Sequence, residues 1–193
     1  RELAAVAVSG ERGARSLLRA WSPGLSPGLS TPSIQTAQVD SLYVYASAVS
    51  TLIIIAPDSV HEQTKEKAGL ESYKSRVWTR VEQVSHCSAH GIDSMFVEAP
   101  GGLQNVTRDW IATVVCIFDA NLTCCRLKHH NQDRCDRESL VLPLLGLWSQ
   151  VLSDHHTGKT GTASLHAIIQ PQKDRVFPAS YAFENISGDN ETS

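Results

Sequence analysis

The chain has 193 residues, of which 41% are apolar and 19% charged, a composition typical of one globular domain with a sizeable core. Its formal net charge of −3 gives no reason to expect nucleic acid or an anionic membrane surface as a partner. The apolar run at residues 49–56 is far too short to cross a bilayer, so we expect no membrane partner.

Cysteine and asparagine give opposite indications of the compartment. The five cysteines are an odd number and two of them, Cys124 and Cys125, are adjacent, which is not the pattern of a disulfide framework. Against this, four of the five asparagines stand in Asn-x-Ser/Thr triplets, the acceptor pattern of secreted glycoproteins. We favour a cytoplasmic protein with free thiols.

The chain divides into three predicted segments. Residues 1–33 are an amino-terminal extension that ends in a linker rich in Pro, Gly and Ser at 21–33. Residues 34–170 form the predicted domain, which opens with a helix at 34–50. Residues 171–193 are a polar tail, since they lack apolar periodicity.

The first half of the predicted domain follows the order strand, loop, helix, strand. Residues 52–56 are five consecutive apolar residues, three of them isoleucine, a pattern that favours a strand buried on both faces. A polar loop at 59–70 follows. Residues 75–89 carry one apolar stripe at helical spacing, which Gly91 should end. A second short apolar run at 95–97 predicts the next strand.

The second half continues with apolar runs and a strongly apolar helix. Residues 113–118 have the pattern of another buried strand, and a shorter strand is predicted at 122–127. Residues 139–153 should form a helix that buries Leu144 and Trp148, because these two lie four apart within an apolar run.

Strands that alternate with helices predict an α/β fold, a mostly parallel sheet flanked by helices. The strands at 52–56, 95–97 and 113–118 should be neighbours in that sheet. Ligands of such sheets gather at the carboxyl ends of the strands. Here the loops at 57–70 and 99–106 leave from those ends, and the helix at 75–89 begins there.

Metal-binding residue types occur together in one stretch. Cys124, Cys125, His129, His130 and Cys135 could all act as ligands, but no Cys-x-x-Cys spacing is present. Adjacent cysteines rarely both bind one ion without strain. We therefore predict buried or loop thiols, with neither a metal nor a cofactor, and keep a zinc site as the alternative.

Four residues at the start of the 75–89 helix form the candidate site: Ser75, Arg76, Trp78 and Glu82. Ser75 can cap the helix, and Trp78 and Glu82 lie one turn apart on the same face. A carboxylate beside a large aromatic face near a helix start is either a ligand-contacting group or a capping and packing device.

A short signature resembles that of fungal heterokaryon-incompatibility (HET) domains, Arg-x-Trp-Thr/Cys-x-x-Glu, and stands here as Arg76-Val-Trp78-Thr79-Arg-Val-Glu82. It is similar to the Ser-x-Trp-Cys-x-x-Glu stretch of Toll/interleukin-1 receptor (TIR) domains. The block at 31–153 also resembles multi-copy proteins of dinoflagellates and other algae that carry a Ser-Arg-x-Trp-Cys-Arg-x-Glu segment. Thr79 replaces the cysteine of the TIR and algal forms.

The resemblance implies a TIR/flavodoxin-like fold, and an incomplete sheet, because no first strand is visible in residues 1–30. It implies a signalling or self-association module. The alternative is an NAD glycohydrolase in which Glu82 is the catalytic carboxylate, Ser75 and Trp78 line the pocket, and NAD is the substrate. Arg76 would hold a phosphate or the Glu82 carboxylate, and Arg76 or backbone donors would keep Glu82 ionised at neutral pH.

Overall fold

The structure is a computed structural model that describes residues 5–8, 42–60, 65–126 and 135–179. Six strands fall in these ranges: β1 (Ala5–Val8), β2 (Leu52–Ile55), β3 (Ser59–Val60), β4 (Lys67–Ala68), β5 (Met95–Ala99) and β6 (Gly102–Asn105). Eight α-helices accompany them: α1 (Leu42–Ala48), α2 (Leu70–Ser75), α3 (Val77–His90), α4 (Arg108–Val114), α5 (Thr123–Arg126), α6 (Asp136–His156), α7 (Thr160–Ile169) and α8 (Lys173–Val176).

The main sheet has the order β1-β2-β5-β6. Its central pair, β2 and β5, is parallel, with Leu52 opposite Met95, so this predicted pairing is confirmed. Both outer pairs are antiparallel. The fold is therefore α/β, but the described sheet is mixed and small, whereas a mostly parallel one was predicted. The antiparallel pairing of β5 with β6 has a local cause, because Gly101 and Gly102 adopt positive φ angles and form a tight turn between the two strands.

Regular structure also occurs at both ends of the chain. Strand β1 lies within the predicted extension at 1–33 and pairs with β2, with Ala5 opposite Ile55. The sequence pattern does not predict this strand, and β1 runs antiparallel to β2, unlike the parallel first strand that a TIR-like sheet would have. At the other end, α8 lies within the predicted polar tail, and its Val176 is buried. The predicted helix at 34–50 is described only from Leu42, since residues 34–41 lie outside the described ranges.

The predicted strands at 113–118 and 122–127 are wrong. The first stretch is the end of α4 followed by a 3₁₀ turn at Ile117–Asp119, and the second contains α5. Val114, Val115 and Ile117 are nonetheless almost fully buried. Thr107 is the N-cap residue of α4, and its side chain accepts a hydrogen bond of 3.2 Å from the Trp110 backbone N–H. A short apolar run reports burial, and it does not distinguish a strand from a buried helix.

Helix α3 is the predicted helix at 75–89, shifted by two residues at its start and one at its end. It ends at Gly91, which has a φ of 78°, as predicted. Its start differs because Ser75 belongs to α2 and Arg76 is extended, so Arg76 and not Ser75 is the N-cap residue. The Asn121 backbone holds this break, since its N–H donates to the Ser75 carbonyl at 2.7 Å and its carbonyl accepts from Val77 at 3.3 Å.

Polar side chains buried around α3 find partners on neighbouring elements. Gln83 accepts a hydrogen bond of 2.7 Å from the Trp110 indole of α4 and donates one of 2.8 Å to the Thr79 carbonyl. His86 Nδ1 lies 3.0 Å from the Ala46 carbonyl of α1. These contacts satisfy groups that would otherwise destabilise the core. They fix α3 against both helices.

Helix α6 is longer than the predicted helix at 139–153 and has an inner and an outer face. Leu144 is buried, as predicted, whereas Trp148 is only half-buried. The Trp148 ring stacks on His166 of α7 at a centroid distance of 5.8 Å. Two leucines face outward, Leu142 at 77% exposed and Leu145 at 50%. No helix within the described ranges is long and apolar enough to span a bilayer.

Candidate functional site

The four predicted site residues lie around the break between α2 and α3. Ser75 is at the end of α2, where its hydroxyl donates 2.8 Å to the Ser72 carbonyl. Arg76 is at the break itself. Trp78 and Glu82 lie one turn apart on α3 and both are half-buried. The structure therefore brings Arg76, Trp78 and Glu82 to one region, and it engages the Ser75 hydroxyl within its own helix.

Glu82 lies where water solvates it poorly. Burial raises the pKa of its carboxyl to about 7, and the nearby Arg76 guanidinium only partly offsets this rise in pKa. No hydrogen bond or ion pair joins this carboxylate to another described residue. A carboxyl with a pKa of about 7 is partly ionised at neutral pH, so the ionisation of Glu82 by Arg76 or backbone donors stays a prediction.

Tyr73 of α2 is a neighbour of Glu82 that the sequence did not single out. Its hydroxyl is buried and has no hydrogen-bond partner among the described residues. Burial raises the pKa of this phenol, and the charge of Glu82 raises it further. An unsatisfied buried hydroxyl costs stability and needs an explanation. Its position next to a poorly solvated carboxylate places two polar groups with unusual environments together, which is typical of binding and catalytic sites.

Trp78 makes a polar contact with a helix that is distant in sequence. Its indole Nε1 donates a hydrogen bond of 3.1 Å to Asp136 Oδ2 in the first turn of α6. This bond ties α3 to the start of α6, and it occupies the indole N–H that a ligand could otherwise use. Nothing in the signature at 75–82 indicates this partner, because the two residues are far apart in sequence.

Three cysteine side chains meet beside Asp136. The sulfur of Cys124 lies 4.0 Å from that of Cys125 and 3.9 Å from that of Cys135, and the Cys125 and Cys135 sulfurs are 3.6 Å apart. All three are reduced cysteines whose sulfurs lie close enough together to hold a metal ion. Of the metal-capable set that the sequence indicated, His129 and His130 lie outside the described residues.

The cysteine cluster, Cys124, Cys125 and Cys135, sits at the amino terminus of α6. Burial raises the pKa of the Cys124 thiol to about 12, and the backbone N–H of Asp136 donates to its sulfur and lowers the pKa again in part. Burial likewise raises the pKa of Cys125, as does a hydrogen bond with Cys135. Cys124 and Cys125 are therefore protonated at neutral pH unless a metal ion binds their sulfurs.

Asp136 joins the two halves of this region, since its carboxylate accepts from Trp78 and its backbone donates to Cys124. The carboxylate face of α3 and the cysteine cluster are thus neighbours. A separate apolar crevice lies between α3, α6 and α7, where Val84, Leu144 and Trp148 are among its lining residues. Glu82 is not part of that lining.

Comparisons with known proteins give no match. A scan against protein-family models, a search of curated proteins and a search of solved structures each found nothing similar to this chain. The resemblance to HET and TIR domains therefore stays a prediction that depends on the residues quoted for it.

Proposed function

We propose that this chain is a protein-association module of the signalling type that the HET/TIR resemblance implies, and that it self-associates through the outer face of α6. The observation that carries the proposal is the pair Leu142 and Leu145, 77% and 50% exposed. Residues three apart on a helix are neighbours on its surface, so these leucines form one apolar patch.

A glycine beside the two leucines leaves room for a second helix to pack closely. Gly146 follows Leu145, and no heavy atom lies within 4 Å of the place where its side chain would be. A second α6 can approach closely there. Such a contact is isologous, because the same face serves both copies. Full burial of a leucine is worth about 1.5–3 kcal/mol, so two leucines support a weak association that depends on protein concentration.

Sedimentation velocity over a series of protein concentrations tests this proposal. We expect the mass of the wild type to rise with concentration, and the double variant Leu142→Gln, Leu145→Gln to remain a monomer. Glutamine keeps helix propensity and these side chains are exposed, so the variant should fold. Leu103→Gln on β6 is the matched control, since Leu103 is also exposed and lies outside α6. A wild type that stays monomeric throughout contradicts the proposal.

A second candidate function is NAD glycohydrolysis, which the environment of Glu82 favours. The carboxyl is poorly solvated, its pKa is raised to about 7, and the unpartnered Tyr73 hydroxyl lies in the same buried region. An ionised Glu82 would stabilise the oxocarbenium-like ribose as nicotinamide leaves, or orient the attacking water. Since only the ionised form can act this way, the rate should rise with pH through about 7.

Release of free nicotinamide from NAD tests this second candidate. The purified chain is incubated with NAD at high and at low protein concentration. Glu82→Gln should abolish release, and Glu71→Gln, at an exposed glutamate on α2, should leave it unchanged. A flat baseline for the wild type at both concentrations excludes the enzyme.

A further inference from the structure

The spacing of the cysteine cluster matches the geometry of a thiolate-bound zinc ion. A Zn–S bond is about 2.3 Å long, and tetrahedral angles then place the sulfurs about 3.8 Å apart. The three sulfur–sulfur distances in the structure are 3.6, 3.9 and 4.0 Å. An ion placed between these sulfurs would therefore meet three ligands with almost no movement of the chain.

Adjacent cysteines are compatible with one ion here, contrary to the expectation from the sequence. Cys124 and Cys125 lie in the short helix α5, and both sulfurs already turn towards Cys135. The Cys124–Cys125 separation of 4.0 Å is within the range that a tetrahedral site uses. The vicinal pair is thus held at ligand spacing by the fold itself.

Burial keeps the Cys124 and Cys125 thiols protonated, but two features of their surroundings lower the cost of forming thiolates when a cation binds. Cys135 is the N-cap residue of α6, a helix of 21 residues, and the first backbone N–H of that helix donates to the Cys124 sulfur. The amino end of a helix carries a partial positive charge that stabilises thiolates. Arg137 adds a full positive charge near Cys125, and within the described ranges its buried Nε has no hydrogen-bond partner.

We propose that Cys124, Cys125 and Cys135 bind one zinc ion as thiolates, with the fourth position open to water or to another donor. Binding releases the thiol protons to solvent. The ion would join α5 to the start of α6 and so fix Asp136, the hydrogen-bond partner of Trp78. This site is independent of the proposed association and of any action on NAD.

Two other states of the cluster make different predictions. A disulfide between Cys125 and Cys135 would need their sulfurs, now 3.6 Å apart, to approach to about 2.05 Å, and would leave Cys124 unpaired. Three packed thiols would need no ion at all. Metal content and thiol counts, measured under reducing conditions, separate the three states.

The test uses the full chain, stripped with a chelator under reducing conditions and then supplied with Zn²⁺. We expect one zinc per chain after dialysis, and with Co²⁺ in its place the intense near-ultraviolet thiolate bands and visible bands of a tetrahedral site. Cys125→Ser and Cys135→Ser should each weaken zinc binding by more than about 100-fold, because a lost ligand costs at least as much as a lost supporting contact. Cys87→Ala and Cys116→Ala, at buried cysteines outside the cluster, should keep it.

A second measurement on the wild type guards against variants that fail to fold. Zinc should raise the melting temperature of the wild type and slow the alkylation of Cys125, which is only half-buried. Failure of the wild type to retain zinc overturns the proposal, as does retention by the Cys125→Ser, Cys135→Ser double variant. A Cys125–Cys135 disulfide that persists under reducing conditions also overturns it.

Discussion

At the scale of single residues, burial of the Glu82 side chain opposes the ionisation of its carboxyl. A carboxyl in water ionises near pH 4.5, and burial raises the pKa of this one to about 7. The folded chain therefore resists the charge that the unfolded chain accepts. A buried carboxyl with so perturbed a pKa is typical of binding and catalytic sites, and this favours such a role for Glu82.

The pH dependence of the free energy of unfolding measures how much burial of Glu82 costs. Between pH 4.5 and 7 the folded chain holds the Glu82 proton and the unfolded chain has released it, so the Glu82 contribution to stability falls as pH rises. Glu82→Gln removes the charge and should stabilise the chain at pH 8 by up to about 3 kcal/mol, while changing little at pH 4. Urea midpoints at the two pH values give the answer.

Glu71→Gln is the matched control for this measurement, because Glu71 is exposed and one change of Glu to Gln should then alter stability little at either pH. Identical midpoints for the wild type and Glu82→Gln at pH 8 would mean that water reaches Glu82 freely. The case for a functional carboxylate would then lose its physical basis.

At the scale of elements, α6 presents two faces whose leucines have opposite environments. Leu144 is buried and touches the core, whereas Leu142 and Leu145 face outward. Leu144→Ala should lower the free energy of unfolding by about 2–5 kcal/mol, because it leaves a cavity. Leu142→Ala should change it by less than about 0.5 kcal/mol at protein concentrations where the chain is a monomer.

Chemical denaturation of the two alanine variants, side by side, checks this assignment of faces. The pair is closely matched, since both positions lie in α6 and both lose the same atoms. Equal costs at Leu142 and Leu144 would show that α6 is rotated from its described orientation, and the proposed association patch would then be buried in the domain.

The elements that the sequence predicted well are those whose pattern is local. The stripe from Val77 to Cys87 and the stop at Gly91 both lie within one helix, and α3 follows them. The break at Arg76 was missed because the Asn121 backbone, far along the chain, holds it. The run at 113–118 is buried, as its apolar pattern indicates, but the pattern does not predict its conformation. The Thr107 cap and packing make it the end of a helix and not a strand.

The candidate site likewise contains contacts that residue spacing predicts and contacts that it does not. The spacing of Trp78 and Glu82 predicts that they lie one turn apart on one helix, and α3 has them so. Asp136 was missed because its contact with Trp78 joins two helices that are distant in sequence. The meeting of Cys124 and Cys125 with Cys135 also depends on how α5 and α6 come together, which residue spacing alone does not express.

At the scale of the whole molecule, α3 is the element that the others pack around. Helices α1, α4, α6 and α7 all contact it. Val81 and Cys87 on its inner face are fully buried, and polar residues such as Gln83 are satisfied by neighbouring elements. Strand β6 is the opposite case, because it forms an edge of the sheet and all four of its residues are exposed.

Native-state hydrogen exchange should therefore rank these elements. Amides of α3 between Val81 and Ser88 can exchange only when the surrounding helices separate, so we expect their exchange to report global unfolding. Amides of Gly102–Asn105 should exchange faster by local opening of the edge. Low concentrations of urea should speed exchange in α3 steeply and in β6 little, because only global unfolding exposes much surface. If peptides from α3 exchange as fast as those from β6, α3 does not organise the fold.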